Sequence, residues 1–416
     1  MIAALIVGVA AAGPMAAEEA APPHWVGTWG SSPQPIWGPD FFAPLKYPRN
    51  LWKQTVRQVS RVSIGGPRIR VMFSNEYGDR PVMIGDAHVA LAEAGPAIVA
   101  GSDRPLTFGG RTTVTIPPGA PVLSDPVELA VPPLGSVAVS LFLPEVTPVT
   151  TWHNDARQTA FLVAGDKVAE TDFKPDASVT ARVFVSQILV DAPPTARAVV
   201  TFGDSITDGD GSTVDANHRW PDFLAARLVE AGGAPVGVVN AGISGAQLLK
   251  DRMGVNALAR FERDALSVPG VETVVVMIGI NDIGWPGGVL DPIAPPASLE
   301  NLITGYKQLI AQAHARNIRI LGATLTPFED TFKVVNPPLD YYYNPEKEKT
   351  RQAVNQWIRE SKAFDGVIDF DALARDPARP SHIQAAFDSG DHLHPGDSGY
   401  KAMADSIDLQ LLTEKR

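Results

Sequence analysis

The chain has 416 residues, 45% of them hydrophobic and 19% charged, a composition that supports a large buried core and, at this length, two domains. Its formal net charge of -11 argues against a nucleic-acid backbone or an anionic membrane surface as partner. The absence of cysteine excludes disulfides, thiolate catalysis and cysteine-ligated metals.

Residues 2–12 form an uninterrupted run of apolar and small residues that ends at Gly13-Pro14 and is followed by Met15-Ala16-Ala17. This is the pattern of the hydrophobic core and cleavage region of a secretory signal, too short to span a bilayer, although no Lys or Arg precedes it. The expectation is a signal peptide over residues 1–22 and a secreted or periplasmic protein with no stable membrane insertion.

Residues 23–191 are expected to form an all-β domain. The runs 62–73, 111–116, 127–131 and 136–143 are β-branched and alternating, and Gly/Pro groups such as Gly65-Gly66-Pro67 and Pro117-Pro118-Gly119 punctuate the region. Short strands at regular spacing favour a β-sandwich or jelly roll over a barrel. Trp25, Trp29 and Trp37 read singly as core or interface residues rather than sugar-stacking platforms. His153, in TWHNDARQT, reads as a satisfied surface or core histidine rather than a member of a catalytic cleft.

A Pro-rich linker, DAPPTAR over residues 191–197, hands over to a second domain assigned to residues 192–416. Here strands alternate with helices, as in a parallel sheet with crossover connections. A short apolar strand over residues 198–202 precedes an amphipathic segment at 220–231, and a segment at 256–266 follows the Gly block at 238–245. Ser298 is placed to cap a helix whose apolar positions Leu299, Leu302, Ile303, Tyr306, Leu309, Ile310 and Ala313 follow the helical period. A strand at 318–325, a Pro/Tyr-rich loop at 326–345, a helix through Val354, Trp357 and Ile358, and a strand at 366–370 complete the pattern. About five parallel strands with helices on both faces make a three-layer α/β/α sandwich.

The chemistry concentrates at residues 198–209, AVVTFGDSITDG, where Ser205 sits in a polar turn after a buried strand. Open α/β sheets place their chemistry at this end of a strand, so Ser205 is the candidate nucleophile. A serine hydroxyl needs a base to take its proton and donors to hold the oxyanion that forms. Three later stretches carry such groups: VVNAGISG at 238–245, VVVMIGIND at 274–282, and DSGDHLHP at 388–395 with Asp391 three residues before His394.

Together with the GDSI of the first stretch, these four ordered blocks closely resemble the GDSL/SGNH hydrolase family, in particular its secreted acylhydrolase and arylesterase branch. The resemblance covers residue 198 onward and implies the SGNH fold and a serine esterase working through an acyl-enzyme. By the same resemblance Ser205 is the nucleophile, His394 the general base and later acid, and Asp391 the group that orients the imidazole. The backbone N–H groups of Ser205 and Gly242 and the side-chain amide of Asn281 would form the oxyanion hole. A glycine at 242 would let the backbone approach the substrate carbonyl, and a neutral His394 base predicts activity that falls as pH drops through about 6.5. No cofactor is implied, and the partner is a small-molecule or glycan ester, with short acetyl or aryl esters favoured.

Other readings of the same residues are weaker. His392, His394, His382 and Asp388 could ligate zinc, but the Ser, Gly and Asn blocks would then be unexplained, so no metal is expected. Ser244 lacks the following Gly-at-plus-two of a nucleophile elbow and reads as a turn residue lining the site, and Asp208-Gly-Asp-Gly reads as turn chemistry rather than a calcium loop. A lipid-directed lysophospholipase or thioesterase would keep the same five residues. A carbohydrate-binding protein with a vestigial hydrolase half would have no need of them. Residues 285–288 (WPGG) and 337–345 are the candidate pocket walls.

Overall fold

A computed structural model describes residues 22–335 and 339–414, except residues 40, 42, 44 and 46. The export-signal reading of residues 1–22 falls almost wholly outside the described residues, as do Pro337 and Pro338 of the proposed pocket wall. No described helix is long and apolar enough to cross a membrane.

The N-terminal region is all-β and built on two antiparallel sheets. One contains Trp25–Gly30, Val185–Asp191, Gly66–Ser74, Pro121–Leu123 and Val127–Val131, and the other orders Ala177–Val179, Ala160–Ala164, Gln54–Arg61, Ser136–Leu143, Asp86–Leu91 and Arg104–Pro105. Ile69, Val71, Phe73 and Ile188 of the first meet Val56, Val89, Val139, Leu141 and Leu162 of the second in one core, which is sandwich packing. Trp29 and Trp37 belong to that core.

The run at 62–73 is not one strand. The chain turns between Gln54–Arg61 and Gly66–Ser74, because Gly65-Gly66-Pro67 interrupts the run instead of following it. Gln54–Arg61 carries too many polar residues to read as a strand, yet it is central in its sheet. Its Arg57 is buried because the guanidinium donates to Ser140 Oγ and to the carbonyls of Pro96, Val168 and Glu170. The strands at 111–116, 318–325 and 366–370 shorten to Val114–Ile116, Arg319–Ala323 and Gly366–Ile368, and Phe370 opens a helix.

From Arg197 onward the chain forms a parallel five-stranded sheet in the order Val236–Gly242, Arg197–Gly203, Val271–Met277, Arg319–Ala323, Gly366–Ile368. Helix Trp220–Ala231 packs with Asp397–Ser406, and Leu299–Ala315 packs with Pro345–Glu360, giving the helical layers of an α/β/α sandwich. Ser298 caps its helix by accepting from the Asn301 N–H. The chain leaves Arg197–Gly203 toward one neighbour and later returns on its other side, so the crevice beyond Gly203 is the topological switch point of the sheet.

The two regions share packing. Val26, Ile64 and Val190 of the β region lie in the core of the C-terminal region. The Gly27 N–H donates to Pro269 O at 2.9 Å, and the Val238 N–H donates to Ser63 Oγ at 2.8 Å.

Arg260 secures the carboxyl edge of the sheet. Its side chain is fully buried, stacks on Phe202 with 4.1 Å to the ring centre, and donates to Gly203 O at 2.7 Å, Ala241 O at 2.7 Å and Asp264 at 3.2 Å. Arg260→Met takes a donor from each of two buried carbonyls and breaks one buried charge pair, so it should cost about 3–5 kcal/mol. Thermal denaturation measures this, and an unchanged midpoint would show that the strand ends hold together without the guanidinium.

Candidate functional site

The turn that carries Ser205 begins where the strand Arg197–Gly203 ends. Asp204 caps the single helical turn Ser205–Asp208 by accepting from the Ile206 N–H at 3.1 Å, and the turn stops at Gly209, whose φ is +111°. Asn240 ties this turn to the next strand, its Nδ2 donating to Thr207 O at 2.7 Å. Ser205 is thereby held at the switch point, only 4% exposed.

The last loop brings Asp391 and His394 to it. Gly390 and His392 have φ of +106° and +65°, and this left-handed backbone curls the loop around the Asp391 carboxylate. Asp391 Oδ1 accepts from the N–H groups of Leu393 at 2.9 Å and His394 at 2.8 Å, and Oδ2 accepts from His394 Nδ1 at 2.6 Å. The proton on Nδ1 leaves Nε2 free to accept from Ser205 Oγ, 2.7 Å away. All three side chains therefore form one hydrogen-bonded chain.

Electrostatics follow from these contacts. Burial would raise the Asp391 carboxyl, but His394 and the two backbone donors hold it well below the usual carboxylate range. Burial would lower the His394 pKa, yet the charge and hydrogen bond of Asp391, helped by Asp210 and Asp204, push it up to about 9. Asp210 lies 3.8 Å from His394 Nε2, and burial, with Asp155 nearby, pushes its carboxyl up to about 7.

Asn281 also reaches the site. Its Nδ2 donates to Ala246 O at 3.0 Å, and its Oδ1 accepts from Tyr342 O–H at 2.8 Å, so the amide orientation is fixed and one Nδ2 hydrogen remains unassigned. Tyr342 comes from the Pro/Tyr-rich loop and packs edge-on against Trp285, with ring centres 5.0 Å apart. Phe332, at φ +57°, sets its ring 6.0 Å from that of His394, and its N–H donates to Asp391 O.

Gly242 does not fit the role drawn from the sequence. Its N–H already donates to Asn240 Oδ1 at 2.9 Å. A Cβ there would come within 2.3 Å of the Asp208 backbone nitrogen, so position 242 needs glycine for packing against the turn Ser205–Asp208. Three residues on, Gly245 has φ +73°, and its N–H makes no hydrogen bond among the described residues. The Ser205 N–H is likewise uncommitted there. The second glycine of the block was visible in the sequence, but which glycine presents its amide depends on the Asn240 side chain.

Ser244 and Asp208 also exceed turn chemistry. Asp208 Oδ2 accepts from the Ser244 N–H at 3.1 Å and from Ser244 Oγ at 3.0 Å, while Ser244 Oγ also lies 3.2 Å from Asp210. The one hydroxyl proton is thus shared between two carboxyl groups, of which Asp210 is the one that burial raises. The histidines considered for zinc are separated: His392 pairs with Asp388 at 2.5 Å, His394 with Asp391, and His382 with Glu329 and Asp330. Among the described residues the only three-ligand group is Glu329, Asp330 and His382. A cavity of about 500 Å³ lies between the two regions, lined by Trp37, Tyr77, Met253 and Leu290 among others. A Cβ on Gly245 would meet Met253 Sδ at 2.4 Å, which sets this cavity beside the Gly block.

A three-layer α/β/α sandwich with polar groups gathered at the switch point of a parallel sheet defines the architecture. Residues 201–402 match the GDSL-like lipase/acylhydrolase family, and this part of the chain is a domain of that family, whose members are hydrolases acting on esters. Similar solved structures include a lipase/acylhydrolase from Enterococcus faecalis, 20% identical over 53% of this chain and 98% of that one, with a TM-score of 0.39. A GDSL-like lipase from Bacteroides thetaiotaomicron is 17% identical over 52% of this chain and 87% of that one, with a TM-score of 0.38. An acetyl xylan esterase is 20% identical over 50% of this chain and 96% of that one, with a TM-score of 0.37. A comparison with curated proteins returned no match.

On the reading of His394 as general base, which must be neutral to accept a proton, its raised pKa moves the acid limb of activity upward. With an ester substrate, kcat/KM should rise with pH up to about 9 rather than level off near the ordinary histidine value of about 6.5. A plateau already complete at neutral pH would remove either His394 or the influence of Asp391 from this account.

Proposed function

We propose that the protein is a serine esterase in which Ser205 attacks the ester carbonyl and forms an acyl-enzyme. The observation that carries this is the contact chain Ser205 Oγ to His394 Nε2 at 2.7 Å and His394 Nδ1 to Asp391 at 2.6 Å. His394 takes the Ser205 proton as the tetrahedral intermediate forms and returns it to the leaving alcohol. Water then attacks the acyl-enzyme with His394 again as base. Asp391 fixes the tautomer and stabilises the imidazolium.

The oxyanion is held by the N–H groups of Ser205 and Gly245 and by the Asn281 side chain, all with hydrogens left uncommitted among the described residues. Support for a short acyl group is the crowding of the reacting atoms, with Ser205 4% and His394 6% exposed and Phe332 set against the imidazole. The cavity beside Met253 would take the alcohol side of the ester, and its aromatic lining suits a sugar or aryl ring. The export reading rests on residues 2–12 alone, and under it the substrate would lie outside the cytoplasm.

Fluorophosphonate labelling followed by peptide mass mapping tests the nucleophile. The tag should sit on Ser205 and vanish in Ser205→Ala, whereas an unlabelled wild-type protein would remove Ser205 from this role. A series of nitrophenyl esters tests the acyl preference: turnover should be highest with acetyl or butyryl, and a maximum at octanoyl or beyond would favour a lipid-directed enzyme instead.

A further inference from the structure

The β region sends one side chain into the machinery of the C-terminal region. His153, on the short strand Thr151–His153, is 5% exposed and lies against the nucleophile turn. Its Nε2 is 2.9 Å from Asp208 Oδ1, and its Nδ1 is 3.0 Å from the Ser32 carbonyl oxygen. A carboxylate and a carbonyl only accept, so both ring nitrogens must carry protons and the side chain is an imidazolium. Burial and Arg182 work against that charge, and Asp208 more than offsets them, raising the His153 pKa.

Asp208 is the last residue of the nucleophile turn, three positions after Ser205. With Oδ1 held by His153, its Oδ2 receives both the N–H and the hydroxyl of Ser244. Ser244 immediately precedes Gly245, whose N–H is assigned above to the oxyanion. One carboxylate thus links the turn that presents the nucleophile to the loop that presents an oxyanion donor. That carboxylate is buried, so without a compensating cation it would be costly to keep charged.

We propose that His153 is a positioning residue for ester hydrolysis: through Asp208, its imidazolium sets the spacing between Ser205 and the Gly245 N–H. The β region is therefore a working part of the active site. The proposal rests on Ser205 as nucleophile and Gly245 as donor, and His153 itself touches neither substrate nor reacting atoms.

A positioning role and a role in folding differ in what happens to each competent molecule. Active sites in the full-length protein are counted by fluorophosphonate titration, and kcat and KM for nitrophenyl acetate are then expressed per titrated site. In His153→Gln, kcat per site should fall by up to about a hundredfold, the scale of a small misplacement at a reacting centre, with KM little changed. Asp208→Asn should lose a similar factor, and the double variant should lose no more than the worse single variant, because both act through one contact.

If His153→Gln instead yields fewer titratable sites with unchanged kcat per site, His153 is structural only and the proposal is overturned. Losses that multiply in the double variant overturn the route through Asp208. Should His153→Gln not fold, Asp208→Asn decides by the same ratio of kcat to titrated sites, with unchanged kcat overturning the proposal. Wild-type protein that does not label at Ser205 removes the nucleophile assignment beneath it, whereas a labelled wild type with an equally fast variant removes only the part played by His153.

Discussion

A single buried guanidinium sets the geometry on which the rest of the site depends. Arg260 donates to the carbonyls of Gly203 and Ala241, which end the two adjacent strands leading into the nucleophile turn and the Gly block. Where parallel strands diverge their last carbonyls are only weakly paired, as Gly203 O is with the Ile243 N–H at 3.2 Å, and a buried carbonyl left underpaired is costly. One planar group with several donors satisfies both and fixes their separation. Asp264 and the face of Phe202 balance the charge, so the cation is tolerated at the centre of the sheet edge.

Everything beyond those two carbonyls is held by short side chains acting on backbone. Asp204 caps the turn, Asn240 bridges it to the neighbouring strand, and Asp391 gathers its own loop before it meets the imidazole. The result concentrates carboxyl groups around one histidine. Burial pushes Asp204 up to about 7, alongside Asp210, while Asp391 stays ionised because it is hydrogen-bonded to the imidazole itself and accepts from two backbone donors. The imidazole is thus biased toward the cation by its neighbours.

Much of this architecture was legible because it is written in local pattern. The apolar strand before Ser205, the Asp-x-x-His spacing and the Ser298 cap each depend on residues close in sequence. What was not legible depends on distant partners. Gln54–Arg61 reads as polar until Ser140 and the carbonyls around Arg57 are present. Gly242 and Gly245 cannot be told apart until the Asn240 side chain occupies one amide. His153 and Asp208 lie far apart in sequence, and each alone resembles an ordinary loop residue.

The shared core between the two regions also bears on how such a chain could have been assembled and how it could be re-engineered. Val26, Ile64 and Val190 are counted in the interior of the sheet that carries Ser205, and Ser63 completes the hydrogen bonding of the Val238 amide. Cutting at the linker would leave apolar side chains facing water and a strand amide unpaired. The β region is therefore not a cassette to be exchanged with another binding module. Any recombination of this scaffold must carry across both faces of the seam together.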